Sequence, residues 1–142
     1  MRNYTRIKNQ AYRKYKRIKK VYCPCLKTKV SFNSKGFWHI IYRSRNKKRD
    51  VKSQILRFKL LDKAAQLVKL SHTLQEYQEV RRGRKKNIRY YAFIGILDEW
   101  KIKVIVKQVG NARPLFWSVI PNWRTGKRDR RRYLYKGNLE AD

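Results

Sequence analysis

His39 stands in the stretch VSFNSKGFWHIIYR with Arg43 four residues beyond it, a spacing that puts both side chains on one face of a helix, away from its apolar side. An imidazole among cations resists taking a further positive charge, so its pKa falls and it stays a neutral base near pH 7. Such a base suits the 2′-hydroxyl of a ribose, the nucleophile that RNA carries within itself. The chemistry then needs an acid for the departing 5′-oxygen and cations for the phosphorane, but no metal. Lys107, Lys103 and Arg43 can supply positive charge, and Ser118 a hydroxyl for the phosphate. The general acid is unassigned, because the second histidine, His72, falls in a connection between elements.

Each of these residues also has a plainer reading. His39 could be a helix-surface histidine without duty, Ser118 could hydrogen-bond to a neighbouring strand, and His72 reads better as structural or exposed. Cys23 and Cys25 form a CxC with no second cysteine pair, which is weaker than the paired CxxC spacing of a zinc site. No metal or cofactor is expected. Trp38, Trp100 and Trp117 read mainly as core, whereas Trp123, after Pro121 and beside Arg124, is placed to stack on a base.

The whole chain sets the electrostatic context. Its 142 residues include 39 Lys and Arg against nine Asp and Glu, a formal charge of +30. A field that dense repels itself unless a polyanion neutralises it, which makes nucleic acid the first partner to consider. Apolar residues at 42% and aromatics at 13% separate the chain from a disordered basic tail, because a core can form. The apolar runs fall far short of the roughly 18 residues that span a bilayer, and no secretory leader is evident, so a cytoplasmic protein is expected. A basic mitochondrial-type leader is the alternative.

The elements that must position His39 follow from periodicity. Residues 1–22 hold nine Lys or Arg and no acid, with Tyr4, Ile7, Ala11, Tyr15 and Ile18 at helical spacing, so they predict a basic helix with a thin apolar edge or a solvated arm. Ser34 is the expected cap of a helix carrying Phe37, Ile40 and Ile41 to about Arg45. Ile55, Phe58, Leu61, Ala65 and Val68 space a longer second helix up to about Leu70. Beyond it the period shortens to two, predicting strands at 74–80, 88–97, 100–109 and 115–120, with Gly83, Asp98 with Glu99, and Gly110 with Asn111 at the turns.

The fold class expected is therefore α+β: two N-terminal helices on one face of a four-stranded antiparallel sheet, with basic N- and C-terminal extensions. The boundaries are 1–26 for the first extension, 27–124 for the domain and 125–142 for the tail. The uncovered face would carry Lys101, Lys103 and Lys107, with Ser118 on it because an unpaired buried hydroxyl costs free energy. Arg81, Arg82, Arg84 and Lys85 in the turn RRGRKK, with Trp123 and Arg124, would extend a basic track for RNA. If about six phosphates of a single strand are neutralised, binding weakens roughly 300-fold between 50 and 200 mM salt.

The ordered set VSFNSKGFWHIIYR, SQILRFKLLDKAAQLV and KIKVIVKQVGNARPLFWSVIPNW resembles the phage-type branch of the ribonuclease superfamily that groups barnase, EndoU, colicin nuclease domains and RelE-like toxins. The resemblance covers residues 30–124. It implies metal-independent endonucleolytic cleavage of RNA on the sheet face, with His39 and Ser118 at the matching catalytic positions and Lys107 and Arg43 beside them. A toxin of a toxin–antitoxin pair or a mobile-element nuclease fits that resemblance, with an acidic antitoxin or inhibitor as protein partner. Composition alone favours the alternative, a non-catalytic RNA-binding protein such as a ribosome-associated one; a DNA-binding reading lacks helix-turn-helix or zinc-finger spacing.

Overall fold

The computed structural model describes residues 2–81 and 87–124, together with Leu139, Glu140 and Asp142. Helix α1 (Arg2–Ile18) is followed by the hairpin β1 (Lys20–Cys23) and β2 (Thr28–Ser31), then α2 (Ser34–Ile41) and a small hairpin, β3 (Tyr42–Ser44) with β4 (Lys47–Lys48). Helices α3 (Val51–Lys59) and α4 (Leu61–Leu70) lead into β5 (Glu76–Val80), β6 (Ile88–Leu97), β7 (Trp100–Val109) and β8 (Leu115–Arg124).

Strands β5 to β8 form the antiparallel meander expected, but the sheet has six strands in the order β1-β2-β8-β7-β6-β5. Strand β2 joins it parallel to β8 through Ser31 and Leu115. The α+β class therefore holds, with four helices rather than two among the described residues and a mixed rather than purely antiparallel sheet. The meander was legible because its strands alternate, whereas β1 and β2 are four residues each and too short for a period to show.

The segment expected as an N-terminal extension is part of the core. Tyr15 is 1% exposed, its ring lies 5.4 Å from Phe37, and its hydroxyl donates to Asn33 O at 2.6 Å. Tyr4 donates to Gln54 Oε1 on α3, so α1 is tied to the domain at both ends of its apolar edge. Burial outweighs charge repulsion here because Arg6, Arg13, Lys14, Lys16 and Arg17 stay exposed, off the apolar edge.

Two helix boundaries differ from expectation. Asn33, not Ser34, caps α2, accepting from Lys35 N at 3.1 Å, and α2 stops at Ile41 rather than near Arg45. The expected second helix is two, broken at Leu60 (φ −98°, ψ 0°). In one continuous helix Leu60 would lie some 200° round from Phe58; the break lets Phe58, Leu60 and Leu61 all enter the core. Asp50 starts α3 by accepting from Ser53 N at 2.7 Å.

Helix α2 lies against β8 with no room between them. A Cβ on Gly36 would collide with Phe116 O and stand 2.8 Å from Tyr15 Oη. That close approach holds the residues that follow, including His39, against the last strand. On β7, Ile102, Val104 and Val106 face the helices. The opposite face is not open: Ile105, with Tyr90 and Ala92, is covered by Leu139, whose amide donates to Gln78 Oε1 at 2.9 Å.

Candidate functional site

Strand β8 carries one residue more than β7 between two pairs of partners, since Ile105 faces Ser118 while Val106 faces Phe116. Trp117 is the extra residue of this β-bulge. On a regular strand Trp117 and Ser118 would point to opposite sides; with the bulge, Trp117 packs against the cluster of Tyr90, Ala92, Ile105 and Leu139 while Ser118 stands opposite Ile105 of that same cluster. Phe116 stays in the helix-side core, stacked on Phe32 at 4.9 Å.

The His39 imidazole stacks on Trp117 with centroids 4.0 Å apart and planes 18° from parallel. Lys107 Nζ is 4.0 Å from the same Trp117 ring. His39 therefore lies against the last strand and shares the Trp117 ring with Lys107, but it is 6% exposed and lies on the buried side of α2 rather than on a solvated face. The exposed residue is its neighbour Trp38, at 54%.

Arg49, just before α3, makes the decisive bonds to His39. Its Nη2 lies 3.1 Å from His39 Nε2, and its Nε donates to His39 O at 3.1 Å. Guanidinium only donates, so Nε2 is the acceptor and the neutral ring carries its proton on Nδ1. Burial, then the charges of Arg49, Arg57 and Lys107, push the His39 pKa from 6.5 down to about 3. The expected direction is found, with desolvation as its largest cause rather than the neighbouring cations.

Beneath the ring, three donors from three elements meet on one oxygen. Asp142 O accepts from Arg49 Nη2 at 2.9 Å, from Arg57 Nη1 at 2.8 Å and from Ser118 Oγ at 2.8 Å. Arg57 Nη1 also donates to Ser118 Oγ at 2.7 Å. Ser118 is fully buried and Arg57 is 8% exposed, so this is a floor and not a surface. Ser118 was expected on an open face because a buried hydroxyl needs a partner; it is buried with two.

Burial lowers the Arg57 pKa to about 9 and that of Arg49 to about 10, with Arg49 and Arg43 respectively adding repulsion and Asp142 opposing it. Two desolvated guanidinium groups side by side disfavour their own charge, and an oxyanion between them relieves that cost. The cradle therefore has the chemistry of an anion seat.

Next to it, joined through His39 and Trp117, is a cleft of about 1040 Å³ lined by Lys35, Arg43, Arg45 and Lys107, by the rings of Trp38, Tyr42, Tyr90 and Trp117, and by Glu140, with His39 in its wall; Arg49, Arg57 and Ser118 are not among its lining. Arg43 is thus at the site although not on the helix: it lies on β3, and its placement owes nothing to the four-residue spacing from His39. Trp38 and Tyr42 pack 5.1 Å apart.

The remaining expected contacts scatter. Lys103 is buried in an ion pair with Glu76 at 3.1 Å, so it is no RNA-facing lysine. Lys101 lies at the far end of β7, about 20 Å along the strand from Lys107, and Arg81 is exposed beyond β5, away from the cleft lining. Arg82, Arg84 and Lys85 fall outside the described residues, as do the side chains of Trp123 and Arg124. His72 is exposed and remote from the cleft lining.

Arg49 and Arg57 were not singled out from the sequence. Arg57 did leave a signal, because it occupies a core position in the 54, 57, 58, 61 helical pattern, where a charge must have a purpose or a partner. Arg49 left none, being one cation in a run of them. Among the described residues no group of three or more His, Cys, Asp or Glu could hold a metal, and no helix is long and apolar enough to cross a membrane.

Fold and site together define an α+β protein with an aromatic-lined, mainly cationic cleft beside a buried cluster of two arginines and a serine that converges on one main-chain oxygen. No protein-family model, curated protein or solved structure matches the chain.

Proposed function

We propose that the protein is an endoribonuclease that cuts RNA by metal-independent transesterification through the 2′-hydroxyl. The observation that carries this reading is the convergence of Arg49, Arg57 and Ser118 on a single oxygen beside the His39 imidazole. A phosphate oxygen is the natural counterpart of the Asp142 oxygen. Its three donors lie at 2.8 to 2.9 Å, the range at which preorganised donors stabilise charge that develops in a transition state.

In this scheme Arg57 and Ser118 hold a non-bridging oxygen of the scissile phosphate. Arg49 moves its Nη2 bond from His39 Nε2 to the phosphate, which frees the imidazole lone pair to take the 2′-hydroxyl proton; the 2′-oxygen bonds to phosphorus as the bond to the 5′-oxygen breaks, and the departing 5′-oxygen takes its proton from water. Bound phosphate offsets the charges of Arg49 and Arg57, two of the groups that depress the His39 pKa, so the base gains proton affinity when substrate is in place. Lys107 and Arg43 line the approach. Trp38, Tyr42 and Trp117 offer ring faces to unpaired bases, a mode that suits single-stranded RNA. A cytoplasmic site of action and an acidic antitoxin or inhibitor as partner fit the same reading, since +30 of charge needs restraint in a cell full of RNA.

The competing reading is an RNA-binding protein without catalysis. On its side stands the burial of His39 and its pKa of about 3, which makes the resting imidazole a weak base. Labelled RNA incubated with the protein in EDTA separates the two. Cleavage leaving 2′,3′-cyclic phosphate ends, lost in His39→Ala, supports the ribonuclease. RNA that binds tightly yet stays intact, with near-normal affinity in His39→Ala, supports the binding protein.

A further inference from the structure

The cradle is already occupied by the chain itself, and the occupant is anchored at three described residues. Leu139 is 2% exposed against Tyr90, Ala92 and Ile105, and its amide is held by Gln78. Glu140 O accepts from Trp117 Nε1 at 3.1 Å, and its carboxylate lies 3.4 Å from the Tyr90 hydroxyl in the cleft wall. Asp142 then delivers its oxygen to Arg49, Arg57 and Ser118.

Two of the nine acidic residues of this chain fall in that short segment. They lie beside Arg57, which is 8% exposed, and Arg49. A segment that places one main-chain oxygen in the cradle and runs past Trp117 occupies the seat a phosphodiester would need. We infer that the segment carrying Leu139, Glu140 and Asp142 is an intramolecular plug, a peptide stand-in for the RNA strand, that must leave the cradle before substrate can enter.

The inference rests on reading the cradle as a phosphate seat. Its consequence is a two-state equilibrium, plug in or plug out, in which only the open state binds an external oxyanion. Apparent affinity is then the intrinsic affinity reduced by the open fraction. Leu139 is the anchor because it alone of the three contributes a side chain to the apolar cluster. Loosening it raises the open fraction without touching a cradle donor.

The test uses the full chain and two variants, Leu139→Ala and Gln78→Ala, which weaken the anchor from its two sides. Inorganic phosphate is titrated while the imidazole resonances are followed by NMR. The chain has two histidines, so a His72→Asn version assigns the His39 signal. Leucine-to-alanine truncation at a buried site commonly shifts an equilibrium by a factor of ten or more, so both variants should bind phosphate about tenfold more tightly, with Arg57→Met abolishing the response. RNA cleavage should rise by a similar factor.

Phosphate affinity unchanged or weakened in both variants, with the melting temperature within a few degrees of the parent, overturns the plug. Tighter phosphate with RNA intact in every variant upholds the plug and removes the ribonuclease. Cleavage equal in parent and variants, with equal phosphate affinity, removes the plug and leaves the ribonuclease standing.

Discussion

Replacing Arg57 by methionine separates a functional arginine from a structural one. Arg57 is 8% exposed, and burial lowers its pKa to about 9, so the folded protein carries this charge at a cost. Methionine follows the first four atoms of the side chain, ends two atoms short of the Nη nitrogens, and drops the charge. Neither polar neighbour is orphaned, because Ser118 Oγ still donates to Asp142 O at 2.8 Å and Arg49 Nη2 still donates to that oxygen at 2.9 Å. Stability should hold or rise, since replacing a buried ion by an apolar group of like volume is often neutral or favourable.

Catalysis should suffer in the opposite sense. Loss of one preorganised oxyanion donor typically lowers kcat by about 10² to 10³, or roughly 2.7 to 4 kcal/mol of transition-state stabilisation. RNA affinity should change little, because one charge in +30 is removed. The measurements are initial rates on a fluorescent RNA in EDTA, RNA binding by anisotropy, and thermal melting, where about 1 kcal/mol corresponds to about 4 °C for a chain of this size. A rate within about threefold of the parent would sink the cradle as a catalytic device. So would a melting temperature lowered by some 10 °C with activity falling in step, because Arg57 would then be acting through the fold.

Trp38→Ala should leave stability within about 0.5 kcal/mol, as the ring is 54% exposed, while weakening single-stranded RNA binding by about 1 to 3 kcal/mol in a filter-binding titration; unchanged affinity would exclude this ring from the RNA path. Gly36→Ala should destabilise by about 1 to 3 kcal/mol in urea unfolding, because its Cβ meets the Phe116 backbone oxygen, which cannot move aside as a side-chain tip could. His39 has a folded pKa of about 3 against 6.5 unfolded, so as pH falls the unfolded chain takes the proton first. Stability present above pH 6.5 should therefore be lost between 6.5 and 3, at up to about 1.4 kcal/mol per pH unit, and His39→Phe should flatten that limb in urea melts at pH 7 and 4.5.

Periodicity carried much of the fold into the sequence. The alternation of Ile102, Val104 and Val106 marked the buried face of β7, and Tyr4, Ile7, Ala11, Tyr15 and Ile18 marked the packed edge of α1. Both patterns are local, and burial of one face follows wherever a partner exists. The break at Leu60 escaped because a helical period reads the same on both sides of it. The parallel pairing of β2 with β8 escaped because it rests on a single residue pair remote in sequence.

The candidate site divides in the same way. Composition determined that the chain is a polycation with enough apolar residues to fold, and residue type determined that His39, Ser118 and Lys107 were worth following. Which cations matter was a tertiary decision. Lys103 and Lys107 are alike on the page, yet one is sealed in a pair with Glu76 and the other lines the cleft. Arg49 and Arg57 became a pair only when the turn before α3, the helix itself and the bulge at Trp117 met on one oxygen. Charge is a property each residue carries alone, so it can be summed along a chain; an anion seat is a set of distances between residues far apart in sequence, and only packing sets those.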